Sequence, residues 1–463
     1  MEITRTFAEF IKRTTFNDIP AAAASTAKYL ILDAVGVALG GSIIPGGRIA
    51  IRYARELNAR PACTVIGGGF KTTAADAAWC NGVLAHSLEY EDAWPEAMHP
   101  SSMLFPASLA IAEEFGRSGK DLLGAYIVGL EVFAKIATSA PNITHTRGWH
   151  GSSVYGAVGA AAAASKLLDL EVDAICYALA IAASGASGLI RQRGTMAKWY
   201  NQGNAARQGV TAALLAKAGF TGDRNILEGA EGFMDVFHAD GGFDLTRTAP
   251  ALGKPFHLVS PGVSVRKYPC AYVYQGVIDT VVDLLQKLGV SYDDVQELVV
   301  PVTPQQRERY DHPVPRSAIG AQFNLRYPLA VALRHGKLSR HDFTDEKVGS
   351  SDIKEAVSKV TITSLSPAQI PEGTDPARYQ PGVILRLKDG REVTHRLPNT
   401  RGRYDDSTPK SVFVLPKFRE NAADCLSPAE TDRCIALVER LEQLDELSAF
   451  TDIIGNARSV ISQ

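Results

Sequence analysis

The spacing of apolar residues separates a helical part of the chain from a mixed part. Through about the first 250 residues, apolar and small side chains recur at three- and four-residue steps, which predicts helices. Ser118, three residues before Asp121, is a suitable helix cap. The expected helices span residues 21–39, stopping at Gly40-Gly41, 105–115, stopping at Gly116, then 119–137, 156–168 and 172–183. Gly and Ala are frequent in the last two, so we expect closely packed helices there.

The pattern changes after residue 253. Runs rich in apolar or β-branched residues at 298–303, 357–362, 383–387 and 393–397 predict strands, and Asp389-Gly390 is a hairpin turn between the last two. Helical patterns at 276–288 and 326–333 lie between them, and residues 428–444 return to helix. The polar segment 398–409 is the expected crossing back. The fold class predicted is therefore mainly α with an α+β part.

This pattern predicts two domains. A large all-helical domain comprises residues 1–253 and 410–463, and a smaller α+β domain, residues 254–409, is inserted into it. At 463 residues the chain exceeds the size at which one hydrophobic core keeps growing, which agrees with two domains.

Composition excludes some classes of function. Apolar residues make up 46% of the chain and charged residues 21%, as in folded globular proteins, and the formal net charge is −2. A nucleic-acid-binding role is not expected without a basic excess. Residues 1–13 lack the apolar core of a signal peptide, and the Ala-rich run 174–190 resembles a buried helix more than a membrane span. Six scattered cysteines suggest reduced core thiols, so we expect a cytoplasmic protein. The absence of a signal peptide and of a membrane span indicates that it binds no membrane.

The motifs of cofactor and metal chemistry are not found in the sequence. There is no G-x-x-x-x-G-K-[ST] loop, no H-E-x-x-H and no G-x-S-x-G, and the ten histidines show no metal-ligand spacing. Gly67-Gly68-Gly69 is not followed by a convincing helix start. We therefore expect no metal and no cofactor, and chemistry by side-chain acids and bases.

Five segments concentrate residues that could carry this chemistry. Residues 86–101, called here the His86 segment, contain two histidines, several acids and two aromatic residues. An exposed acidic loop would explain the same composition. His150 precedes a helix of small residues, where an anion could bind, although a histidine beside a tryptophan is often structural. Arg191, Arg193 and Lys198 suggest a clamp for carboxylates, with a solvated basic face as the alternative.

The remaining two segments, Arg266-Lys267-Tyr268-Pro269-Cys270 and residues 323–327, are not notable alone. Together and in this order, the five segments resemble the MmgE/PrpD family, which includes 2-methylcitrate dehydratase, cis-aconitate decarboxylase and iminodisuccinate epimerase. Residues 31–40, 198–209 and 321–327 are also similar to the family, and the resemblance covers roughly residues 5–460.

The resemblance implies a helical domain with a smaller α+β lid, commonly in a homodimer, with an active site between the domains. It implies a small polycarboxylate as substrate and no metal or cofactor. The residues matching the family's functional positions are His99, His150, Lys198, Tyr327 and either Arg266 or Lys267. Glu89 takes the place of the first acid of the family's Asp-Phe-Asp-Asp-Thr motif.

The sequence departs from the family at several positions. Ala93 replaces the motif's threonine, Tyr200 and Gln275 each replace a frequent histidine, and Arg326 replaces a proline or small residue. A catalytically inactive carboxylate-binding protein on the same fold is therefore an alternative to an enzyme.

The reaction expected is general acid–base chemistry next to a carboxylate of a di- or tricarboxylic acid. His99 is the expected proton carrier, Tyr327 a second donor, and His150 and Glu89 orient them. Lys198 with Arg266 or Lys267 would stabilise the developing negative charge, while Arg191, Arg193 and Tyr200 would hold substrate. Dehydration resembling that of 2-methylcitrate is favoured. Decarboxylation of the cis-aconitate type and epimerisation of the iminodisuccinate type are the alternatives.

Overall fold

A computed structural model describes residues 2–94, 98–140, 143, 147–238, 241–312, 315–372, 379, 382–397 and 400–457. The chain forms two compact units. A helical unit comprises residues 1–192, 196–265 and 409–463, and an α+β unit comprises residues 193–195 and 266–408. The domain limits predicted from sequence, 253/254 and 409/410, stay a prediction beside these limits. The predicted crossing at 398–409 begins with two positions outside the described residues.

The helical unit is built mainly from helices. Before the α+β unit they are α1 (Ile3–Arg13), α2 (Ala21–Ser42), α3 (Pro45–Glu56), α4 (Ala74–His86), α5 (Ser101–Glu114), α6 (Gly119–Ala137), α7 (Gly151–Leu167), α8 (Val172–Ser184), α9 (Met196–Lys217), α10 (Phe233–Phe237) and α11 (Leu245–Thr248), with a small hairpin of β1 (Cys63–Thr64) and β2 (Lys71–Thr72).

Helix α2 lies in the core of the helical unit. Its residues from Leu30 to Ser42 are all buried, because small and aliphatic side chains surround the helix on every side. It is the one described helix long and apolar enough to cross a membrane, and 67% of its most apolar stretch is buried inside the protein. The apolar side chains of α2 are therefore explained by its packing against neighbouring helices of the same unit.

The α+β unit is built around a four-stranded mixed sheet. Its elements are α12 (Gln275–Leu288), β3 (Val295–Val302), α13 (Pro304–Tyr310), α14 (Ala318–Gln322), α15 (Arg326–His335), α16 (Asp345–Gly349), α17 (Ser351–Ser358), β4 (Val360–Ser364), β5 (Val383–Leu387) and β6 (Glu392–His395). The strand order is β4-β3-β5-β6. Strands β3 and β4 are parallel, and the other pairs are antiparallel.

The predicted hairpin is present in this sheet. Val383 pairs with His395 and Arg386 with Glu392. Gly390, in the connecting turn, has a φ of +91°, which L side chains rarely adopt.

The chain then returns to the helical unit through α18 (Lys410–Ala422), α19 (Pro428–Glu439) and α20 (Ser448–Gly455). Helix α18 packs against α2, so both ends of the chain build the same core. The fold class predicted from the sequence, mainly α with an α+β part, is confirmed.

Candidate active site

Four segments of the helical unit bring histidine, lysine and glutamate side chains together in its interior. His86 ends α4, His99 precedes α5, His150 precedes α7, and Lys198 lies in the first turn of α9. The His86 ring centroid is 5.2 Å from that of His99 and 5.9 Å from that of His150. We call His86, Glu89, Glu91, His99, His150 and Lys198 the buried cluster, because each is at most 5% exposed.

Alternating side chains place two carboxylates in the buried cluster. After His86, the apolar Leu88 and Tyr90 pack against Val37 of α2. Their neighbours Glu89 and Glu91 contact the lysine and histidines of the cluster instead. Alternation of apolar and acidic residues after α4 therefore fixes which side chains reach the site.

Lys198 is the centre of a chain of ionic contacts. Its ammonium donates to Glu89 and, at 2.6 Å, to Nε2 of His86. Nδ1 of His86 lies 2.5 Å from Oε1 of Glu91. A lysine ammonium can only donate, so Nε2 of His86 accepts and Nδ1 carries the proton directed at Glu91. The contacts thus define one tautomer of His86.

His99 is held in the tautomer that a proton carrier needs. Its Nδ1 lies 3.0 Å from the main-chain oxygen of Asp92, and its main-chain N–H donates to Ser152 Oγ at 3.1 Å. Because a carbonyl oxygen only accepts, Nδ1 is the protonated nitrogen of the neutral ring. Nε2 is then the basic atom that takes up or delivers a proton.

His150 has the opposite tautomer. The side-chain amide of Asn201 donates to its Nδ1 at 3.3 Å, so Nε2 carries the proton of the neutral ring. Burial, followed by the nearby charge of Lys198, lowers the pKa of His150 well below its usual value. His150 is therefore a neutral N–H donor at physiological pH, suited to an oxygen that gains negative charge.

Glu89 is held in an unusual backbone conformation. Its φ is +50°, in the left-handed region that few non-glycine residues adopt. Such strain costs roughly 1–3 kcal/mol and persists where surrounding contacts impose it. Here the contact that imposes this conformation is that of the Glu89 carboxylate with Lys198.

Asp92 anchors the start of α5 beside His99. Its carboxyl accepts from the main-chain N–H of Ser101 at 3.3 Å and from its hydroxyl at 2.7 Å. The Ser101 hydroxyl is also 2.6 Å from the Tyr126 hydroxyl. Burial raises the pKa of Asp92 to about 8, although the Ser101 hydrogen bonds act in the opposite direction. Asp92 is therefore largely protonated at neutral pH.

Three helix starts contribute to the same region. His99 lies two residues before α5, His150 directly precedes α7, and Lys198 lies in the first turn of α9. Main-chain N–H groups at helix N-termini carry partial positive charge and attract carboxylates and phosphates. These helix starts and the Lys198 ammonium supply positive charge to a region that also holds the carboxylates of Glu89 and Glu91.

Arg191, Arg193 and Tyr200, the other residues predicted to hold substrate, are each described within their own unit. Arg191 is exposed in the helical unit, while Arg193 belongs to the α+β unit and is partly buried. Tyr200 is 52% exposed and packs its ring against Trp79. Their role in holding substrate stays a prediction.

The two candidates for the family lysine differ in their contacts inside the α+β unit. The Lys267 ammonium forms an ion pair with Asp279 at 2.6 Å and lies over the Tyr268 ring. Arg266 is 1% exposed and donates to the main-chain oxygen of Cys270 at 3.4 Å. Both side chains therefore have partners within their own unit, and which of the two matches the family lysine stays open.

Gln275, one departure from the family pattern, has a structural role. Its side-chain oxygen accepts from the main-chain N–H groups of Lys267 and Tyr268, and its amide donates to the main-chain oxygens of Tyr268 and Cys270. The glutamine therefore orders the loop that carries Arg266 and Lys267.

Tyr327 is fully buried in the α+β unit. Its hydroxyl donates to the main-chain oxygen of Asp342, and burial raises its pKa strongly. A phenol has a single proton to donate, so this hydrogen bond competes with the donor role predicted for Tyr327. In this conformation Tyr327 packs the α+β unit, and its part in catalysis stays a prediction.

Sequence reasoning did not single out His86, Glu91 and Asp92 individually, although all three lie in the His86 segment. Their contribution depends on contacts with Lys198 and His99 that spacing does not reveal. Pro95, Glu96 and Ala97 of the same segment lie outside the described residues. Among the residues that are described, no group of three or more His, Cys, Asp or Glu side chains has the arrangement of a metal site.

Comparison with known proteins identifies the family. The model of the MmgE/PrpD N-terminal domain matches residues 5–246, and that of the C-terminal domain matches residues 268–443. The chain belongs to the MmgE/PrpD family.

Relatives that match nearly the whole chain include cis-aconitate decarboxylases. Those of Mus musculus and Homo sapiens are each 29% identical to this chain, over 98% of it and over 93% and 94% of their own lengths. That of Aspergillus terreus is 26% identical over 98% of this chain and 96% of its own length. The similarity to these lyases therefore extends through both units.

Proposed function

We propose that this chain decarboxylates an unsaturated tricarboxylate of the cis-aconitate type. The observation that carries the proposal is the buried cluster, in which the Lys198 ammonium, the neutral N–H donor His150 and the proton carrier His99 converge. Similarity to cis-aconitate decarboxylases over nearly the whole chain supports the choice of reaction.

The reaction requires charge stabilisation and one proton. In cis-aconitate, the C–C bond between the CH2 carbon and its carboxylate breaks, and its electron pair forms a new C=CH2 bond. The electrons of the original double bond move to the carbon beside another carboxylate, where they are delocalised as an enediolate. Protonation of that carbon completes the product, so each turnover consumes one proton and releases one CO2.

The buried cluster supplies these two requirements. Lys198 and the N–H of His150 stabilise the enediolate oxygens as negative charge develops, and such preorganised donors typically contribute about 100- to 1000-fold. His99 delivers the proton through Nε2, a role worth about 100- to 10,000-fold. The helix starts at α5 and α7 attract the other carboxylates.

Decarboxylation is preferred to the dehydration favoured from sequence for a structural reason. Loss of a hydroxyl needs a proton donor at the leaving oxygen, a role predicted for Tyr327. The Tyr327 hydroxyl instead donates to the main chain of its own unit. Decarboxylation needs no such second donor.

Product analysis tests the reaction. The protein is incubated in deuterated water with cis-aconitate, 2-methylcitrate or iminodisuccinate, and followed by proton NMR with CO2 detection. We expect CO2, two terminal-methylene protons and one deuterium per product only from cis-aconitate. Turnover of 2-methylcitrate to an alkene, or exchange of iminodisuccinate without CO2, in the absence of decarboxylation would overturn the proposal.

Two substitutions test the roles of the buried cluster. Lys198→Met keeps the length of the side chain but removes its charge, and His99→Gln removes the proton carrier. We expect each to lower kcat at least about 100-fold, because enediolate stabilisation or carbon protonation is lost. Steady-state rates measure this, with circular dichroism to verify folding.

Lys217→Met is the matched control. Lys217 is exposed in the last turn of the same helix, α9, so its loss should leave kcat unchanged. Wild-type rates for folded Lys198→Met and His99→Gln would show that the reacting groups lie elsewhere.

A further inference from the structure

We propose that Glu91 is a shared positioning carboxylate that links Lys198, through His86, to His99. The family resemblance assigns no role to Glu91 or His86. The proposal deepens the proposed function, because it concerns how the groups assigned to charge stabilisation and proton delivery are held.

A single carboxylate contacts two imidazole rings. Oε1 of Glu91 lies 2.5 Å from Nδ1 of His86 and 3.5 Å from Nδ1 of His99. Its Oε2 accepts the main-chain N–H of Tyr90 at 3.0 Å, which orients the carboxyl group. Glu91 is completely buried, so water does not screen these contacts strongly.

Through His86, the Glu91 carboxylate orients the ammonium group of Lys198. The Nδ1 proton of His86 is directed at Glu91, so the lone pair of Nε2 is directed at Lys198. Together with Glu89, this lone pair uses two of the three protons of the ammonium and fixes its direction. Without Glu91, His86 could adopt the other tautomer, whose Nε2 proton would oppose the ammonium.

On the side of His99, the carboxylate favours the protonated ring. Its negative charge offsets the cation formed when His99 takes up a proton, which raises the affinity of His99 for that proton. The charged and titratable groups of the buried cluster and its border are Glu89, Glu91, Asp92, His86, His150 and Lys198. The Lys198 ammonium disfavours the His99 cation, whereas Glu91, whose Oε1 lies 3.5 Å from Nδ1 of His99, favours it.

A buried polar network also stabilises a fold, so the test needs a readout that stability alone does not change. Glu91→Gln retains the shape and an acceptor oxygen but loses the charge. We expect kcat to fall about 10- to 100-fold, as for other groups that orient catalytic side chains, while KM changes less than about threefold. The His99 limb of the pH profile should move to lower pH, because His99 loses the carboxylate that favoured its protonated form.

NMR titration of selectively ¹⁵N-labelled histidines measures the same effect without substrate. The His99 signal is assigned by its absence in His99→Gln. In Glu91→Gln, we expect His99 to titrate at lower pH than in wild type, and the His86 signals to lose the single Nδ1–H tautomer. The titration needs no substrate. It therefore tests the role of Glu91 independently of the proposed decarboxylation of cis-aconitate.

Two substitutions of His86 separate its two contacts. The amide of Gln reaches the position of Nε2 and can accept from Lys198, whereas the amide of Asn reaches the position of Nδ1 and can donate to Glu91. If His86 acts through Lys198, His86→Gln should retain several-fold more activity than His86→Asn. Equal loss in both would contradict the proposed link to Lys198.

Glu131→Gln is the matched control in the same unit. Glu131 is a buried carboxylate that lies 3.4 Å from Nδ1 of His257 and accepts the main-chain N–H groups of Gly253 and His257. Its substitution should lower stability but leave the His99 titration and the pH profile unchanged. An unchanged His99 titration in folded Glu91→Gln, or the same shift in Glu131→Gln, would overturn the proposal.

Discussion

At the scale of single residues, the tautomers of the histidines are the main functional information. His99 and His150 are both buried, but they differ in tautomer. A main-chain carbonyl determines the tautomer of His99, and a side-chain amide determines that of His150. One ring therefore presents a basic nitrogen and the other an N–H. Acid–base chemistry at carbon needs both kinds of group, one for the proton and one for the developing oxyanion.

The depressed pKa of His150 predicts that acid destabilises the protein. Below about pH 6.5 the unfolded chain binds a proton at this histidine, whereas the folded state resists it. The free energy of unfolding therefore decreases as the pH is lowered, and this group contributes up to about 1.4 kcal/mol per pH unit. His150→Asn, whose side-chain oxygen can replace Nδ1 as the acceptor from Asn201, should remove this slope.

Urea unfolding of wild type and His150→Asn between pH 7.5 and 4.5 measures the difference in slope. His341→Asn is the control, because His341 is exposed in the α+β unit and should leave the slope unchanged. Parallel curves for wild type and His150→Asn would contradict the neutral, buried state assigned to His150.

Sequence could predict part of the candidate site and not the rest. His99, His150, Lys198 and Glu89 were expected from the family pattern, and the structure brings these four together. The links through His86 were not predicted, because the contact of His86 with Lys198 joins positions 112 residues apart. Neither position has a local pattern that would indicate the other.

At the scale of helices, the position of Lys198 depends on how closely α4 and α9 approach. A Cβ on Gly203 of α9 would lie 2.4 Å from the main-chain oxygen of Trp79 in α4, and one on Gly82 would lie 2.9 Å from the Gly203 Cα. Glycine at the crossing allows the two backbones to meet. Helix α4 carries His86 and α9 carries Lys198, so this approach sets the distance between their side chains.

Gly203→Ala should separate α4 from α9 and weaken the contact between Lys198 and His86. Overpacking of this kind typically costs about 1–3 kcal/mol of folding free energy, and we expect kcat to fall about tenfold or more with it. Thermal unfolding and steady-state kinetics measure the two effects.

Gly349→Ala is the control for Gly203→Ala, because Gly349 ends α16 with open space where a Cβ would lie. This substitution should change neither stability nor kcat appreciably. Full activity in Gly203→Ala would show that the helix approach does not position Lys198.

Periodicity predicted some helices better than others. The helix capped by Ser118 ends at Ala137 as predicted, and the capping box at its start explains why its beginning could be placed. Helices α4 and α9 were not delimited from sequence. Both are extensively buried and rich in small residues, so they show little contrast between a polar and an apolar face.

One strand was predicted from a run of β-branched residues to begin three residues before its observed start. The strand expected at residues 357–362 is β4, Val360–Ser364, because Val357 belongs to the last turn of α17. There it packs into the core with Ile353, four residues earlier, as helical spacing requires. A short apolar run does not distinguish the end of a helix from the start of a strand.

At the scale of the whole molecule, the C-terminal segment completes the helical unit and supports the site. The Lys417 ammonium of α18 forms an ion pair with Asp33 of α2 at 2.6 Å and donates to the main-chain oxygen of Tyr90 at 2.8 Å. Both charged groups are buried. The segment containing Glu89 and Glu91 is therefore fastened to both ends of the chain.

Lys417→Met should destabilise the protein by about 3–5 kcal/mol, because the buried Asp33 carboxylate would lose the Lys417 ammonium. The double variant Asp33→Leu with Lys417→Met removes both charges and should regain much of this loss. Chemical denaturation measures the free energies of unfolding for all three proteins.

Arg419→Met is the control for Lys417→Met. Arg419, in the same helix, forms an exposed ion pair with Asp432, so its loss should cost less than about 1 kcal/mol. A double variant no more stable than Lys417→Met alone would contradict the role given to the buried pair.

The partnership of α2 with α18 also has a consequence for synthesis of the protein on the ribosome. Helix α2 is complete by Ser42, but its packing partner ends at Ala422. At about 5–20 residues per second, the intervening stretch takes roughly 20–80 s to translate. During this interval the long apolar helix α2 lacks one of its packing partners, so the yield of the protein in a cell should depend on molecular chaperones.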